Sequence, residues 1–240
     1  MNSPEEVKNW YNTYTKKQLN TGVNLRHFTI INHMINYGFK KNHKVLEIGC
    51  GIGTLTQLIY KYINKGKLVA TDISDESVQF AKARISTIQK NIEFFVTDMT
   101  DFEYSEKFDF IVLPDVLEHI PIAQHPSLFA VLSKHTHDES VILIHIPHPK
   151  ALDFIRKYQP EKLQIIDQSI GADELMQNAY SNNFYLIDYQ SYSVFNKEPD
   201  YALVVFKKNK EIKLNALPRH KIIFKKLIAR IKFKVREILN

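Results

Sequence analysis

A glycine-rich turn between an apolar run and a helical pattern constrains this fold more than any other feature. Residues 45–48 read as a short buried strand, and Gly49, Gly51 and Gly53 follow it directly. A turn this tight favours residues that tolerate a positive φ and carry no Cβ. A helix is predicted to begin near Thr54, and its unpaired N–H groups favour a negatively charged ligand group at the turn. The segment therefore predicts a strand-turn-helix unit that binds a small molecule.

The spacing of the glycines decides between two kinds of cofactor loop. Dinucleotide-binding domains carry G-x-G-x-x-G, whereas this chain carries G-x-G-x-G preceded by Glu47. The resulting E-x-G-x-G-x-G pattern resembles the cofactor loop of class I S-adenosylmethionine-dependent methyltransferases. The resemblance implies that S-adenosyl-L-methionine is the cofactor and that this loop contacts it through Glu47, Gly49, Gly51 and Gly53.

The later strands extend the resemblance over roughly residues 40–150. A second strand ends at Asp72, a third reaches Asp98, and the fourth, residues 108–113, precedes P-D-V-L-E-H-I. An acid at the position of Asp72 reaches ribose hydroxyls in doubly wound folds. The resemblance implies that Asp98 faces the adenine amine. The further cofactor contacts that it implies are Ile73, Met99 and Leu113.

Alternating strand and helix patterns predict an α/β fold. The resemblance implies a Rossmann-like, seven-stranded, mostly parallel sheet with helices on both faces and a C-terminal antiparallel hairpin. The remaining predicted elements are helices at 4–20, 24–37, 75–88, 121–132 and 172–181, and strands at 141–146, 185–195 and 201–206. Asp75 is the predicted cap of the helix at 75–88, with Ser74 as the alternative. We predict an N-terminal helical cap (1–40), a methyltransferase domain (41–208) and a basic amphipathic tail (209–240).

Length and composition indicate the size of the domain and the expected location of the protein. A chain of 240 residues is long enough for one full core with appendages. No apolar run approaches the roughly 20 residues that span a bilayer, and the N-terminus has no secretory pattern. Cys50 is the only cysteine, so an internal disulfide is excluded and a cytoplasmic location is predicted. Its place among the glycines favours a role as a small packing residue over a role as a catalytic nucleophile.

Three residues follow the fourth and fifth strands and are candidates for catalysis. They are Asp115, His119 and His148, and the carboxyl ends of parallel strands open onto one cleft. An oxygen acceptor usually needs a general base, and histidine suits neutral pH best. We therefore predict that His119 or His148 is the base, while a bracing role for His119 stays open. His145 is predicted to point into packing.

A metal site is the alternative reading of the same segment. Asp115, Glu118, His119 and His148 offer oxygen and nitrogen ligands. Some RNA 2′-O-methyltransferases carry an E-x-x-E-H segment with a later histidine, but the first acid here is aspartate. No metal ligand is assigned on this basis. N-methylation, metal-dependent RNA 2′-O-methylation and a catalytically silent cofactor-binding tethering module remain the alternative functions.

The segment from Lys150 to Gly171 is the family's variable insertion and is expected to help select the acceptor. Its polar residues and those of the N-terminal helices favour a hydroxyl-rich small molecule or a lipid-linked sugar. These residues are Tyr11, Tyr14, Asn24, Arg26, His27, Tyr158, Gln159, Asp167 and Gln168. An ordinary surface insertion is the competing interpretation.

Positive charge is concentrated at the C-terminus. Residues 207–240 contain twelve Lys and Arg against two Glu, so this stretch carries +10 and the rest of the chain −4. In residues 218–240, apolar side chains such as Leu227 and Ile231 fall on one side of a helical wheel, opposite the basic ones. This pattern predicts attachment to an anionic membrane surface, with partner docking or packing on its own domain as alternatives. The lack of interleaved aromatic and glycine-rich elements argues against nucleic acid.

Overall fold

The computed structural model describes residues 4–85, 91–211 and 213–239. Its strands are β1 (Lys44–Ile48), β2 (Lys67–Asp72), β3 (Ile92–Val96), β4 (Phe108–Pro114), β5 (Thr136–Pro147), β6 (Phe184–Tyr192) and β7 (Tyr201–Lys208). Its α-helices are α1 (Pro4–Thr21), α2 (Leu25–Asn36), α3 (Thr56–Tyr62), α4 (Asp75–Ile85), α5 (His125–Lys134), α6 (Pro149–Tyr158), α7 (Ala172–Ser181) and α8 (Arg219–Leu239). Short 3₁₀ turns lie at Leu117–His119, Ile122–Gln124 and Pro160–Lys162.

The strands form one sheet in the order β3-β2-β1-β4-β5-β7-β6. The first five of these pair in parallel, and β7 pairs antiparallel with both β5 and β6. The predicted seven-stranded sheet and its closing hairpin are confirmed. The strand order reverses between β1 and β4, and ligands of open α/β sheets bind beyond the carboxyl ends of the strands at such a point.

Helices cover both faces of the sheet because the central strands are apolar on both sides. On β5, Ile142 and Ile144 pack in one core cluster with side chains of α5 and α7. Val141 and Leu143 belong to the opposite cluster, with side chains of α2 and α3. This alternation leaves the central strands without a solvated face, as expected for a parallel sheet.

Three local predictions need correction. Ser74 rather than Asp75 caps α4, because the Ser74 hydroxyl accepts a hydrogen bond from the backbone N–H of Ser77 at 3.1 Å. The helix predicted from Pro121 begins only at His125, after a 3₁₀ turn. The fifth strand is longer than residues 141–146 at both ends. The predicted end of α4 at Ile88 lies outside the described residues.

The chain divides into two compact units, one ending at Asn209 and the other beginning at Lys210. The second unit contains α8, which forms where the amphipathic pattern predicted a helix. Among the residues that the structure describes, no helix combines the length and apolar character needed to cross a bilayer. The predicted segment 218–240 ends at Asn240, which lies outside the described residues, and the N-terminal cap at 1–40 stays a prediction.

Candidate functional site

A cavity of about 420 Å³ is lined by the residues that follow β1, β2, β3 and β4. Most of the predicted cofactor contacts line it. They are Glu47, Gly49, Gly51, Asp72, Ile73, Asp98 and Met99. Two of the predicted catalytic residues, Asp115 and His119, line the same cavity. The structure thus brings the glycine loop and the segment after β4 to one space, as expected from the shared sheet edge.

The glycine loop is held close to the edge of the sheet by backbone hydrogen bonds. The N–H groups of Gly49 and Cys50 both donate to the carbonyl of Thr71, at 2.7 and 2.8 Å. Gly49 has a φ of +77°, and a Cβ there would lie 2.1 Å from Cγ2 of Val116. Only glycine fits at this position, because the loop passes directly against the segment after β4.

Asp72 ties the glycine loop to the end of β2. Its Oδ2 accepts a hydrogen bond from the N–H of Gly51 at 2.7 Å, and its Oδ1 accepts one from Ser74 at 2.9 Å. Burial raises the pKa of Asp72, and these backbone donors partly offset the rise. A carboxylate has about four acceptor sites, so Asp72 keeps capacity for ligand hydroxyls.

Glu47 is a fully buried acid at the floor of the cavity. Burial raises its pKa to about 8. Thr56 lies near enough to offset part of this rise, but within the described part of the chain neither carboxyl oxygen has a hydrogen bond of good geometry. Buried polar groups are normally paired, and a cationic ligand group would satisfy this acid. The carboxyl groups of Glu47 and Asp72 therefore fit a cofactor that carries an ammonium group and ribose hydroxyls.

Two predicted cofactor contacts, Leu113 and Gly53, do not line the cavity. The side chain of Leu113 is fully buried in the core between the sheet and α5, because it projects from the face of β4 rather than from its end. At Gly53 a Cβ would lie 2.8 Å from Cδ1 of Ile85 and 3.0 Å from Cβ of Ala81. Gly53 therefore allows the loop to pack on α4.

Asp115 is the centre of a buried ionic network. Its Oδ2 lies 2.9 Å from Nη1 of Arg26, and its Oδ1 lies 2.6 Å from Nδ1 of His145. Burial opposes ionisation, but Arg26 and His145 outweigh it and lower the pKa of Asp115 to about 2. Asp115 also has a φ of +55°, which is uncommon outside glycine. No sequence pattern indicates the pairing of Arg26 with Asp115, since the two residues lie on distant elements.

His119 is held as a cation rather than as a free base. Its Nδ1 donates to the carbonyl of Ile166 at 2.6 Å and lies 3.2 Å from Oδ1 of Asp167. Its Nε2 lies 3.7 Å from Oε1 of Glu118. Burial disfavours the charged ring, but Glu118 and Asp167 prevail and raise the pKa of His119 to about 9. These contacts favour the protonated ring, which accepts a proton less readily than a free imidazole.

The prediction that His148 faces the cleft is wrong. His148 does not line the cavity but is the N-cap of α6, where its Nδ1 accepts a hydrogen bond from the N–H of Lys150 at 3.3 Å. Its own N–H donates to the carbonyl of Asp200 at 2.9 Å, which fixes the backbone between two prolines. Among the described residues, no group of three or more His, Cys, Asp and Glu side chains is arranged to hold a metal ion.

His27 is the cavity histidine that the catalytic prediction missed. Its Nδ1 accepts the backbone N–H of Asn24 at 3.2 Å, so its Nε2 carries the proton of the neutral ring. Burial and the neighbouring Arg26 lower the pKa of His27 to about 4. The residue therefore offers the cavity a neutral N–H donor. The sequence indicated His27 only as one of the polar residues that favour a polar acceptor, and the structure adds its place in the helix capping box with Asn24.

The polar acceptor residues predicted from the sequence divide into two groups. Those on the N-terminal helices line the cavity: Tyr11, Asn24, Arg26 and His27. Those in the insertion do not line it: Tyr158, Gln159, Asp167 and Gln168. The insertion instead contributes Gln164 and Ile166, and the β6–β7 connection contributes Phe195. The side chain of Tyr14 lies outside the described part.

Helix α1 covers part of the cavity. Val7 and Tyr11 line the cavity from this helix. Asn12 accepts a hydrogen bond from the Ser74 hydroxyl at 2.7 Å, and Lys8 pairs with Asp75 at 3.4 Å. These contacts connect α1 to the loop that follows Asp72.

Comparison with known proteins agrees with the geometry. Residues 45–139 match a family model described as a methyltransferase domain. Malonyl-(acyl-carrier protein) O-methyltransferase 1 of Ilyobacter polytropus is 35% identical over 75 residues, which are 31% of this chain and 28% of that protein. The match thus spans less than a third of this relative, as it does for the corresponding proteins of Priestia megaterium and Acetivibrio thermocellus.

Two solved structures share the fold. Magnesium protoporphyrin IX methyltransferase from Synechocystis PCC 6803 with bound SAH superposes with a TM-score of 0.68 at 15% identity, covering 86% of this chain and 99% of that one. The N-methyltransferase NodS from Bradyrhizobium japonicum gives a TM-score of 0.60 at 18% identity, covering 77% and 95%. The matched domain and the fold support a class I S-adenosylmethionine-dependent methyltransferase, the class that the glycine loop indicated.

Proposed function

We propose that this protein transfers a methyl group from S-adenosylmethionine to a small polar acceptor. One observation carries the proposal: a single cavity joins the acids of the cofactor motif to a second set of polar side chains. Glu47, Asp72 and Asp98 belong to the first set, and Arg26 and His27 to the second. Methyl transfer requires this arrangement, because the acceptor must lie in line with the methyl group.

The residues present fit the cofactor group by group. Asp72 is the candidate for the ribose hydroxyls, Asp98 for the adenine amine and Glu47 for the cationic amino-acid portion. When bound, the cofactor supplies an electrophilic methyl group on a sulfonium. The chain then has to orient the acceptor, exclude water and accommodate one proton.

We expect Asp72→Ala to weaken binding of S-adenosylhomocysteine by about 1–3 kcal/mol, the contribution of a charge-assisted hydrogen bond. Titration calorimetry measures the effect. Asp101→Ala is the matched control, because Asp101 is an exposed acid outside the cavity and should leave the affinity unchanged. The cofactor assignment fails if the wild-type protein does not bind S-adenosylhomocysteine.

The side chains around the cavity favour an acceptor that needs no enzyme base. The contacts of His119 favour its protonated form, Nδ1 of His27 is occupied by the N–H of Asn24, and the lowered pKa of Asp115 makes it a weak base. We therefore favour O-methylation of an acceptor oxygen that ionises readily. The hydroxyl-rich small molecule or lipid-linked sugar predicted from the sequence fits only if one of its hydroxyls is acidic. The O-methyltransferase names among the relatives support an oxygen acceptor.

An acceptor panel distinguishes the remaining functions. Carboxylic acids, phenols, simple sugars and primary amines are assayed for release of S-adenosylhomocysteine. Turnover with the acids or phenols supports the proposal, whereas turnover with amines alone favours N-methylation, for which NodS offers a structural neighbour. Cofactor binding without turnover on any acceptor class supports the tethering module. No observation favours RNA as the acceptor.

We also propose that the basic tail attaches the protein to an anionic membrane surface, on the cytoplasmic face. Helix α8 carries eight Lys and Arg against one Glu. Its apolar side chains are exposed, with Phe224 at 63%, Leu227 at 54% and Ile231 at 54%. A basic amphipathic helix of this kind lies in the lipid interface, and each basic residue contributes about 1 kcal/mol near an anionic leaflet.

We expect deletion of residues 215–240 to abolish co-sedimentation with vesicles of phosphatidylserine and phosphatidylcholine at low salt. Every cofactor residue lies far upstream, so binding of S-adenosylhomocysteine should persist. The variant K225Q/K226Q/R230Q keeps the apolar stripe and should bind vesicles more weakly, because part of the electrostatic attraction is lost. Full-length protein that ignores these vesicles at low salt would contradict the membrane proposal.

A further inference from the structure

The insertion and the segment after β4 form one continuous wall of the cavity. We define this acceptor wall as residues 117–122 together with residues 163–168. The backbone N–H of Gln168 donates to the carbonyl of Glu118 at 3.0 Å, and its side-chain amide donates to the carbonyl of Ile120 at 2.7 Å. His119 adds its hydrogen bond to Ile166 from the centre of the contact. The two segments are therefore joined by backbone as well as side-chain groups.

Asp167 links the insertion to itself and to His119. One carboxylate oxygen lies 3.2 Å from Nδ1 of His119, and the other accepts the backbone N–H of Gln164 at 2.5 Å. The carbonyl of Asp167 accepts a hydrogen bond from Nη2 of Arg156 at 2.9 Å. The carboxylate thus fixes the backbone at Gln164 while it pairs with His119.

Two insertion side chains, Gln164 and Ile166, reach the cavity. The Oε1 atom of Gln164 is buried and has no hydrogen-bond partner among the residues that the structure describes. A buried amide oxygen that faces a ligand cavity can accept a hydrogen bond from a donor on that ligand. Ile166 supplies an apolar contact beside it.

We infer that His119 is a positioning residue: its contacts with Ile166 and Asp167 hold the insertion in place, so that Gln164 and Ile166 select the acceptor. The selection of an acceptor rests on the proposed function. The positioning role of His119 rests only on its local contacts. Gln164 would select acceptors with an O–H or N–H group near the methylated atom. His119 itself takes no proton from the acceptor.

The charged groups around His119 support this role. Glu118 and Asp167 face the ring from the two segments of the wall, and Asp115 adds its charge from the end of β4. Tyr11 of α1 contacts the ring edge-on, with centroids 6.0 Å apart. The ring is thus surrounded by acids and an aromatic, which stabilises an imidazolium.

Hydrogen exchange on the full-length protein tests the inference without an acceptor. In Asp167→Asn, with S-adenosylhomocysteine present, we expect amide exchange at Gln164 and Gln168 to rise at least tenfold. Glu161→Gln is the matched control, since it removes an exposed carboxylate from the same insertion that makes no contact with His119, and its exchange should match wild type. An NMR titration should place the pKa of His119 near 9 in wild type and clearly lower in Asp167→Asn.

Gln168→Ala is a second variant that removes an attachment of the insertion without touching the His119–Asp167 pair. It should also speed exchange at Gln164 while leaving the pKa of His119 unchanged. Unchanged exchange in Asp167→Asn, or a His119 pKa that ignores the substitution, would overturn the inference. If the wild-type protein does not bind S-adenosylhomocysteine, the proposed function is overturned instead. The two failures are therefore distinguishable.

Discussion

Gly49→Ala is expected to abolish measurable binding of S-adenosylhomocysteine and to lower the free energy of unfolding. A Cβ at this position would lie 2.1 Å from Cγ2 of Val116, and the backbone has a φ of +77°. Overpacking and the strained backbone together cost about 2–4 kcal/mol. Relief of the clash would displace either the glycine loop or the segment after β4, and both line the cavity. Denaturant unfolding and calorimetry measure the two effects.

Gly38→Ala is the matched control for this variant. Gly38 also has a positive φ, of +97°, but a Cβ there would meet no atom within 4 Å. It should show only the backbone cost of about 1–2 kcal/mol and normal cofactor affinity. If Gly49→Ala behaved like Gly38→Ala in both measurements, the close approach of the loop to Val116 would affect neither stability nor cofactor binding.

Arg26→Met is expected to lower the free energy of unfolding at pH 7 by about 3–5 kcal/mol. The substitution leaves the buried Asp115 with His145 as its remaining partner, and removal of one member of a buried ion pair carries a penalty of this size. Asp115→Asn should be damaging for the reciprocal reason, since Arg26 then lacks its carboxylate. The double variant should lose clearly less stability than the two single losses combined. An additive double variant would show that the pair is not coupled.

The same network should respond to acid in a defined window. The pKa of Asp115 is lowered to about 2 in the folded protein, against about 3.9 in an unfolded chain. A lowered pKa stabilises the fold above the unfolded value, and the contribution is lost as pH falls through the folded value. The stability difference between wild type and Asp115→Asn should therefore shrink between about pH 4 and pH 2. Unfolding curves at several pH values measure this.

The parts of the site that sequence could predict are those that depend on local pattern. Gly49 and Gly51 were identifiable because a tight turn after a buried strand limits which residues fit. Asp72 and Asp98 were identifiable because the ends of parallel strands share one edge of the sheet. Both predictions need only the order of elements, which alternating apolar patterns supply.

The remaining features depend on contacts between distant segments. No local pattern indicates that Arg26 meets Asp115, or that Glu118 and Asp167 raise the pKa of His119. His148 was misplaced because a polar residue at a strand end can face the cleft or cap the next helix, and Pro149 begins that helix at once. Leu113 does not line the cavity, because its side chain projects from the face of the sheet.

The position of α1 over the cavity has a consequence for turnover. Val7 and Tyr11 of this helix line the cavity together with the glycine loop, so we expect α1 to move when a ligand enters or leaves. Its polar contacts with the rest of the domain include Asn12 with Ser74 and Asp75, and Lys8 with Asp75. Surface helices held by contacts of this kind open at a lower free energy than a sheet core. Trp10, the only tryptophan of the chain, is carried on this helix. We therefore expect the fluorescence of Trp10 to change when the cofactor binds, which a titration with S-adenosylhomocysteine measures.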